Sequence, residues 1–386
     1  MTLNQKRDWS DKNQSHIVFI FSDFDNSVEY LFVLSGLIKL GYSISIIIIR
    51  GHEVSFVKQL RIMGIPIQVI DTSSKLSKLI HLYKLLVKIK KHKRRVILSG
   101  VEASYLVYVI SFFCSMKYVL VRHHSELHYQ LKNRLAIFLD KRIAQKAKRV
   151  YAVSNSHRTY LASNEGIPSE KLHVIYGGFD LGKFAKERRR STPKTTLLGD
   201  TYTKPHFFTF GVCSRLVEWK GIQYIIPAFR KLLQHDVLAE LIILGQGPFH
   251  SQLEELIDVE LAEFVRFVDR TDSMPDFFKS LDVFVHTPIS EFSETFGMVY
   301  LEALAAGVVC IFTKSGILGE LPEIGKSTAV VSYENSEAIF QAMLSITENM
   351  DGANFLHYPV NHLDIFTLEN LLTRYRDVIT YLDSLN

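Results

Sequence analysis

Two glutamates with seven residues between them, Glu294 and Glu302, stand in the stretch DVFVHTPISEFSETFGMVYLEALAAG, residues 282–307. It opens on a β-branched and aromatic run that predicts a buried strand, then passes through a polar loop holding Glu291, Ser293 and Glu294. A helix follows, with Leu301, Leu304 and Ala305 on its inner face and Gly307 as its stop signal. The helix is expected to begin near Phe296, which leaves the N–H groups of Gly297, Met298 and Val299 without an acceptor inside it. Such a terminus attracts anions, and Gly297 has no side chain to keep a phosphate off the backbone. Carboxylates do not hold a diphosphate, but they grip sugar hydroxyls on either side of one. The spacing is that of a nucleotide-sugar cradle, with an ordinary amphipathic helix carrying two solvated glutamates as the plain alternative.

Other residues point the same way. A strand at 207–213 runs into SRLVEWKG, which puts Arg215 and Lys220 just past a strand C-terminus, where doubly wound sheets bind ligands. Two cations there offset the charge on a departing nucleoside diphosphate. A strand at 238–244 ends in GQGP, where Gly245 and Gly247 permit close approach of a flat group such as a nucleobase. Earlier, a strand at 118–121 runs into RHHSELH. His124, with His123 as its rival, is the candidate to orient a sugar hydroxyl or manage an acceptor proton. Three histidines with Glu126 also raise a metal site, but their crowding on one loop fits no usual ligand spacing. The loop SDFDNS holds the D-x-D pair Asp23 and Asp25, a pattern able to hold a divalent ion on a diphosphate. It is taken as acceptor-facing, and metal binding there stays open.

The frame E-x-F-G-x-x-x-x-E-A-x-A-x-G, from Glu294 to Gly307, resembles the signature of the retaining glycosyltransferases of family 4. SRLVEWKG is similar to that family's G-R-L-x-x-x-K-G element, with Ser214 in place of the glycine. The resemblance implies a GT-B fold: α/β, two Rossmann-like doubly wound parallel-sheet domains facing a central cleft. It implies that Glu294 holds the donor sugar and Glu302 the ribose. Phe296, Gly297, Met298 and Val299 would meet the diphosphate with Arg215 and Lys220, while Gly245 and Gly247 approach the base. Glu294 and His124 are then the catalytic candidates. The expected reaction moves a sugar, with retention, from a nucleotide diphosphate sugar to a glycan or lipid-linked acceptor in polysaccharide or glycoconjugate synthesis. No cofactor besides that co-substrate, and no metal, is expected. Asp269 and Arg270 stand where the family usually has another glycine, and Asn26 and Ser27 where it more often has glycines, so base and acceptor contacts are open. YGGFD, residues 176–180, resembles the family's N-G-V-D turn, with Gly177 in place of the asparagine. A GT-B epimerase or phosphorylase and a non-catalytic membrane-surface protein of the same fold are the rival readings.

These residues need a scaffold of alternating strands and helices, and the chain supplies it twice. Strands are expected at 16–21, 43–49, 65–70, 96–99, 118–121 and 149–154, with helices at 28–40, 54–63, 76–91, 104–116 and 129–146 between them. The polar segment 187–205 is taken as a linker. Strands resume at 207–213, 238–244, 264–268, 282–286 and 308–312. The expected domains are 1–193 on the acceptor side, 194–366 on the donor side, and a helix in 367–386, which the family resemblance implies crosses back to the first. No G-x-G-x-x-G follows the first strand, which argues against a dinucleotide site.

At 386 residues the chain suits two domains, and 47% apolar residues suit a folded one. Its net charge of +5 hides an asymmetry, because residues 1–193 hold 32 Lys+Arg against 14 Asp+Glu while the rest hold 13 against 26. The basic half should face something anionic. The run KLLVKIKKHKRR, opening at Lys84 and closing at Arg95, fits either a solvated helix face or peripheral contact with anionic membrane. Its lack of interleaved aromatics argues against nucleic acid. Residues 1–16 are polar, without an apolar core segment, and the longest apolar run is too short to span a bilayer. Cys114, Cys213 and Cys310 lie far apart in apolar surroundings, as reduced thiols of a cytoplasmic protein do.

Overall fold

A computed structural model describes residues 16–22, 28–50, 55–70, 74–184, 194–195, 201–202, 207–349 and 358–385. The chain forms two compact units, one reaching to Phe179 and resuming at Phe366, the other spanning Asp180–Ile365.

The first unit is built on seven strands: β1 His16–Phe21, β2 Ser43–Ile48, β3 Ile67–Val69, β4 Arg95–Ser99, β5 Val119–Val121, β6 Arg149–Ala152 and β7 Leu172–Val174. They lie in the order β3-β2-β1-β4-β5-β6-β7, and every neighbouring pair is parallel. All of β1 is buried, as expected of a strand covered on both faces, which accounts for its unbroken apolar sequence. The helices are α1 Val28–Lys39, α2 Ser55–Ile62, α3 Lys75–Lys91, α4 Val101–Ile110, α5 Leu127–Gln130, α6 Arg134–Lys146 and α7 Asn155–Glu165. Two of them differ from expectation. The helix expected at 129–146 is broken at Asn133, whose side chain accepts from the Ala136 N–H at 3.1 Å and starts α6 afresh. The apolar run 104–116 is helical only as far as Ile110. Strand β7 went unforeseen because three residues carry no periodic signal.

One face of this sheet packs against α1, α2 and the C-terminal helix Leu368–Ser384 in a single apolar cluster. Leu371, Tyr375, Val378, Ile379 and Leu382 supply the buried contribution of that last helix. The C-terminal segment is thus part of the first unit's core, tied on by a parallel bridge between Phe179 and Thr367. Gly178 makes the junction possible, since a Cβ there would lie 2.8 Å from the Thr367 carbonyl oxygen.

In the second unit, β8 Lys194–Thr195 and β9 Thr201–Tyr202 form a small antiparallel pair. The rest of the expected linker lies outside the described residues, and so do Asp23 and Asp25. The main sheet comprises β10 Phe208–Cys213, β11 Ala239–Leu244, β12 Val265–Val268, β13 Val283–His286, β14 Val309–Phe312 and β15 Ala329–Val330, in the order β12-β11-β10-β13-β14-β15 and parallel throughout. Its helices are α8 Leu181–Phe184, α9 Ile222–Leu233, α10 His250–Glu254, α11 Met274–Ser280, α12 Met298–Ala305, α13 Ile324–Ser327 and α14 Ser336–Asn349. A second apolar cluster, with α9 and α14 packed on β10, β11 and β13, holds this unit together.

If the C-terminal helix is part of the first core, Ile379→Ala should cost about 2–5 kcal/mol in chemical denaturation. A cost close to zero would mean that the helix is merely appended.

Candidate functional site

The order of the second sheet reverses between β10 and β13, and such a reversal opens a crevice at the C-terminal ends of the two strands. The loop after β10 carries Arg215 and Lys220, and the loop after β13 carries Glu294 and leads into α12. Lys220 Nζ and the Glu294 carboxylate form an ion pair with both side chains largely covered. The same carboxylate oxygen lies 2.8 Å from Nε2 of His286, the last residue of β13. Burial lowers the pKa of His286, so the neutral ring donates its Nε2–H to Glu294. Phe284 stacks on that ring and Tyr300 meets it edge-on, 4.9 Å between centroids, which fixes its orientation. Burial by itself would raise the pKa of Glu294, but the Lys220 charge and the His286 hydrogen bond outweigh it and hold the carboxyl at about 2.

The backbone around Glu294 is held as firmly. Its N–H donates to Ser315 Oγ at 2.9 Å, and that hydroxyl donates to the Glu291 carbonyl at 3.1 Å. Gly316 has φ 56°, and a Cβ there would come within 2.9 Å of Glu294 Cβ. His286, Ser315 and Gly316 were not singled out from sequence. The available signals were a histidine closing a buried strand and a Ser-Gly pair just beyond the end of β14.

Helix α12 starts at Met298, two residues later than expected, with Gly297 as its N-cap at φ 84°. A Cβ on Gly297 would strike the Tyr300 ring at 2.5 Å, so backbone conformation and packing already demand glycine, quite apart from any ligand. Among the described residues no acceptor meets the N–H groups of Met298 and Val299, which leaves the first turn of α12 open. Glu302, farther along α12, is half-buried, and burial pushes its carboxyl up to about 7. It has no side-chain hydrogen bond among the described residues. It neighbours Cys213, at the end of β10, whose thiol is pushed up to about 12 by burial and by the Glu302 charge.

Arg215 is exposed. Its loop rests on the GQGP turn: the Leu216 N–H donates to the Gln246 carbonyl at 2.9 Å. A Cβ on Gly245 would lie 1.9 Å from the Ser214 carbonyl oxygen, and one on Gly247 would lie 2.1 Å from that of Leu216. The two glycines therefore make room for the Arg215 loop. That packing role stands beside the approach to a nucleobase expected from their spacing.

In the first unit, Arg122 is buried beyond β5 and bridges two acids, Asp140 at 2.9 Å and Glu165 at 2.7 Å. His124 Nε2 lies 2.9 Å from the same Asp140 oxygen, and His128 Nε2 lies 3.5 Å from it. The acidic partner of His124 and His128 is thus Asp140, sixteen residues from His124 in the chain. His124, His128 and Asp140 bring one ligand atom each within 4.8 Å of one another, a spacing compatible with a metal ion. The Arg122 guanidinium already holds Asp140, and a cation so close opposes a second one. Burial and the Arg122 charge hold His124 down to about 4 against the pull of Asp140, so its neutral ring donates from Nε2. His123 points outward and meets the Tyr30 hydroxyl at 3.3 Å, which itself meets Tyr375 at 3.1 Å.

A depressed carboxyl stabilises the fold above its unfolded pKa and loses that contribution as pH falls through its folded value. For Glu294 this interval runs from about 4.3 to about 2, worth about 3 kcal/mol when complete. The stability gap between wild type and Glu294→Gln in urea titrations should shrink by about half between about pH 6 and about pH 3. A pH-independent gap would show that the ion pair is absent in solution.

Comparison with known proteins agrees with this geometry. The family of glycosyl transferases group 1 matches residues 207–349, and glycosyltransferase family 4 matches residues 33–183. An uncharacterized glycosyltransferase of Methanocaldococcus jannaschii is 30% identical over 229 residues, 55% of each chain. A GDP-mannose-dependent α-(1-6)-phosphatidylinositol monomannoside mannosyltransferase of Mycobacterium tuberculosis is 30% identical over 223 residues, 55% of this chain and 56% of that one. The chain therefore spans about half the length of the curated relatives it matches. Among solved structures, Anabaena HepE in complex with UDP-glucose aligns with a TM-score of 0.77 at 19% identity, over 95% of this chain and 99% of that one. A glycosyltransferase from Rickettsia africae aligns at 0.72 and 20%, over 96% and 99%. With both units matched in sequence and the fold matched nearly end to end, the chain belongs to the glycosyltransferases of group 1 and family 4 and has their GT-B fold of two Rossmann-like units.

Proposed function

We propose that the protein transfers a sugar from a nucleoside diphosphate sugar to a glycan or lipid-linked acceptor, with retention at the anomeric carbon and without a metal ion. One observation carries the reading. At the reversal of the second sheet, Glu302, half-buried and without a hydrogen-bond partner among the described residues, shares one strand-end region with the open first turn of α12 and the Lys220–Glu294 pair. A ribose diol is the neutral, two-donor group that suits Glu302. The diphosphate suits the N–H groups of Met298 and Val299 together with Arg215 and Lys220. Donor hydroxyls then take Glu294 as Lys220 turns to the phosphate. As the anomeric C–O bond to the diphosphate breaks, the charge that collects on the leaving group meets cations already in place. The low basicity of His124 suits it to orienting a hydroxyl better than to removing a proton. Retention rests on the family resemblance. The class of donor has support from the UDP-glucose complex of Anabaena HepE.

A panel of nucleotide sugars, scored by thermal shift and by slow donor hydrolysis, tests this reading. One donor should raise the melting temperature by mass action, and Glu302→Gln should abolish that rise. A carboxyl raised to about 7 weakens the fold as pH climbs from about 4.3 to that value. The same substitution should therefore raise the melting temperature of the ligand-free protein above about pH 7. Turnover with the identified donor and an acceptor should be unchanged by EDTA and should fall with Arg215→Ala. No shift with any donor or any bare nucleoside diphosphate would overturn the proposal, and loss of turnover in EDTA would overturn its metal-free form.

A further inference from the structure

Exposed large apolar side chains are not scattered over the described surface: ten of the seventeen lie on or between α3, α4 and α6 of the first unit. Isolated exposed apolar residues are ordinary, but a cluster of them marks a surface that meets something. On α3, Leu76, Ile80, Tyr83 and Val87 follow one another at spacings of four, three and four, a single stripe along the outer side. Leu82, Leu86 and Ile89 of the same helix are buried on its inner side, so α3 is apolar on both faces. Just past the end of α4, Phe112 and Phe113 are 67% and 79% exposed. Leu135 and Phe138 stand out from α6 in the same way. The three helices are neighbours, α3 touching α4 and α4 touching α6. None of their residues belongs to the cluster that packs α1, α2 and the C-terminal helix on one sheet face.

Cations frame this apolar surface. Lys84, Lys88 and Lys91 run beside the stripe of α3, all exposed. Arg142 lies 5.2 Å from the Phe138 ring centre, and Lys146 lies 4.4 Å from that of Phe112. Residues 72–164 hold nineteen Lys and Arg against three Asp and Glu. Of those three acids, Asp140 is buried on Arg122 and Glu102 pairs with Lys78 and Arg50. We propose that this face docks on an anionic lipid surface, its apolar side chains entering the headgroup boundary and its lysines meeting lipid phosphates. Long basic side chains reach lipid phosphates while their stems cover the apolar stripe, which is how interfacial helices hold to a bilayer. A nucleic acid backbone would give the aliphatic stripe nothing to enter, and a second copy of the chain would bring like charge against like. The inference stands on the first unit alone and does not depend on the reading of the donor site.

Co-sedimentation of the whole chain with vesicles tests it separately from any sugar transfer. The protein should pellet with phosphatidylcholine vesicles containing about 30 mol% phosphatidylglycerol and stay in solution with phosphatidylcholine alone. Lys84→Glu with Lys88→Glu should lower partitioning about tenfold or more. Ile80→Ser with Phe113→Ser should lower it about tenfold even at low salt. All four residues are exposed, so circular dichroism and melting temperature should match wild type. Absence of sedimentation with anionic vesicles would overturn the proposal. So would an apolar pair that binds like wild type while heparin binding falls only with the lysines, because the face would then be a purely electrostatic site for a polyanion. A dimer in gel filtration that Ile80→Ser dissociates would assign the face to self-association.

Discussion

A carboxylate withdrawn from water needs a countercharge, and Glu294 obtains one from Lys220, 74 positions earlier in the chain. Much of the second unit's local geometry follows from bringing those two together. Strand β10 must lie beside β13 so that their exit loops meet. Gly221, at φ 75°, must let the Lys220 loop approach so closely that a Cβ would fall 1.9 Å from the Thr287 carbonyl oxygen. His286, buried and neutral, donates to the Glu294 oxygen that Lys220 meets, and Gly316 must leave room for the Glu294 side chain. Replacing both partners of such a pair by apolar groups costs little, whereas removing one of them leaves a buried charge alone. In the proposed reaction its value lies in what it holds ready: a cation and a carboxylate that an incoming phosphate and an incoming hydroxyl can separate.

The first unit solves a related problem differently. Its buried cation, Arg122, is saturated by Asp140 and Glu165, and the histidine tied into that network cannot readily take a proton. The result is a fixed neutral ring beside a fixed charge. His123, one residue earlier, points outward and joins a short chain of hydroxyls that leads through Tyr30 to Tyr375 on the C-terminal helix. That helix therefore does more than cover apolar surface, because its tyrosine reaches the end of the sheet where the histidines stand.

The charge asymmetry of the sequence also acquires a location. Ten of the 32 cations in the first 193 residues lie on α3 and α6, against the single acid Asp140, and flank the same ground as the exposed apolar side chains. Charge alone was compatible with an ordinary solvated helix. Its coincidence with Phe112, Phe113 and the stripe on α3 makes that account insufficient, since water is a poor partner for such side chains.

Much was legible before any coordinates. The doubled alternation of strand and helix, the frame around Glu294 and Glu302, and Arg215 and Lys220 at a strand end follow from local periodicity and spacing, which neighbouring residues express without long-range help. Short edge strands such as β7 and β15 escaped, because two or three residues are stabilised by a neighbour and leave no pattern of their own. The same limit hid the partners. Spacing offered Lys220 as a candidate phosphate ligand but could not show it as the countercharge of Glu294, and Asp140, which meets His124 and His128, stands too far along the chain from them to be paired by spacing. Nor does spacing reveal that Gly245 and Gly247 also make room for the backbone of Ser214–Leu216. Sequence by itself determined which groups the chain has to work with and on which elements they ride. Tertiary structure decided which of them meet, because contact between a buried acid and its counterion depends on strand order and loop packing, and no local spacing encodes either.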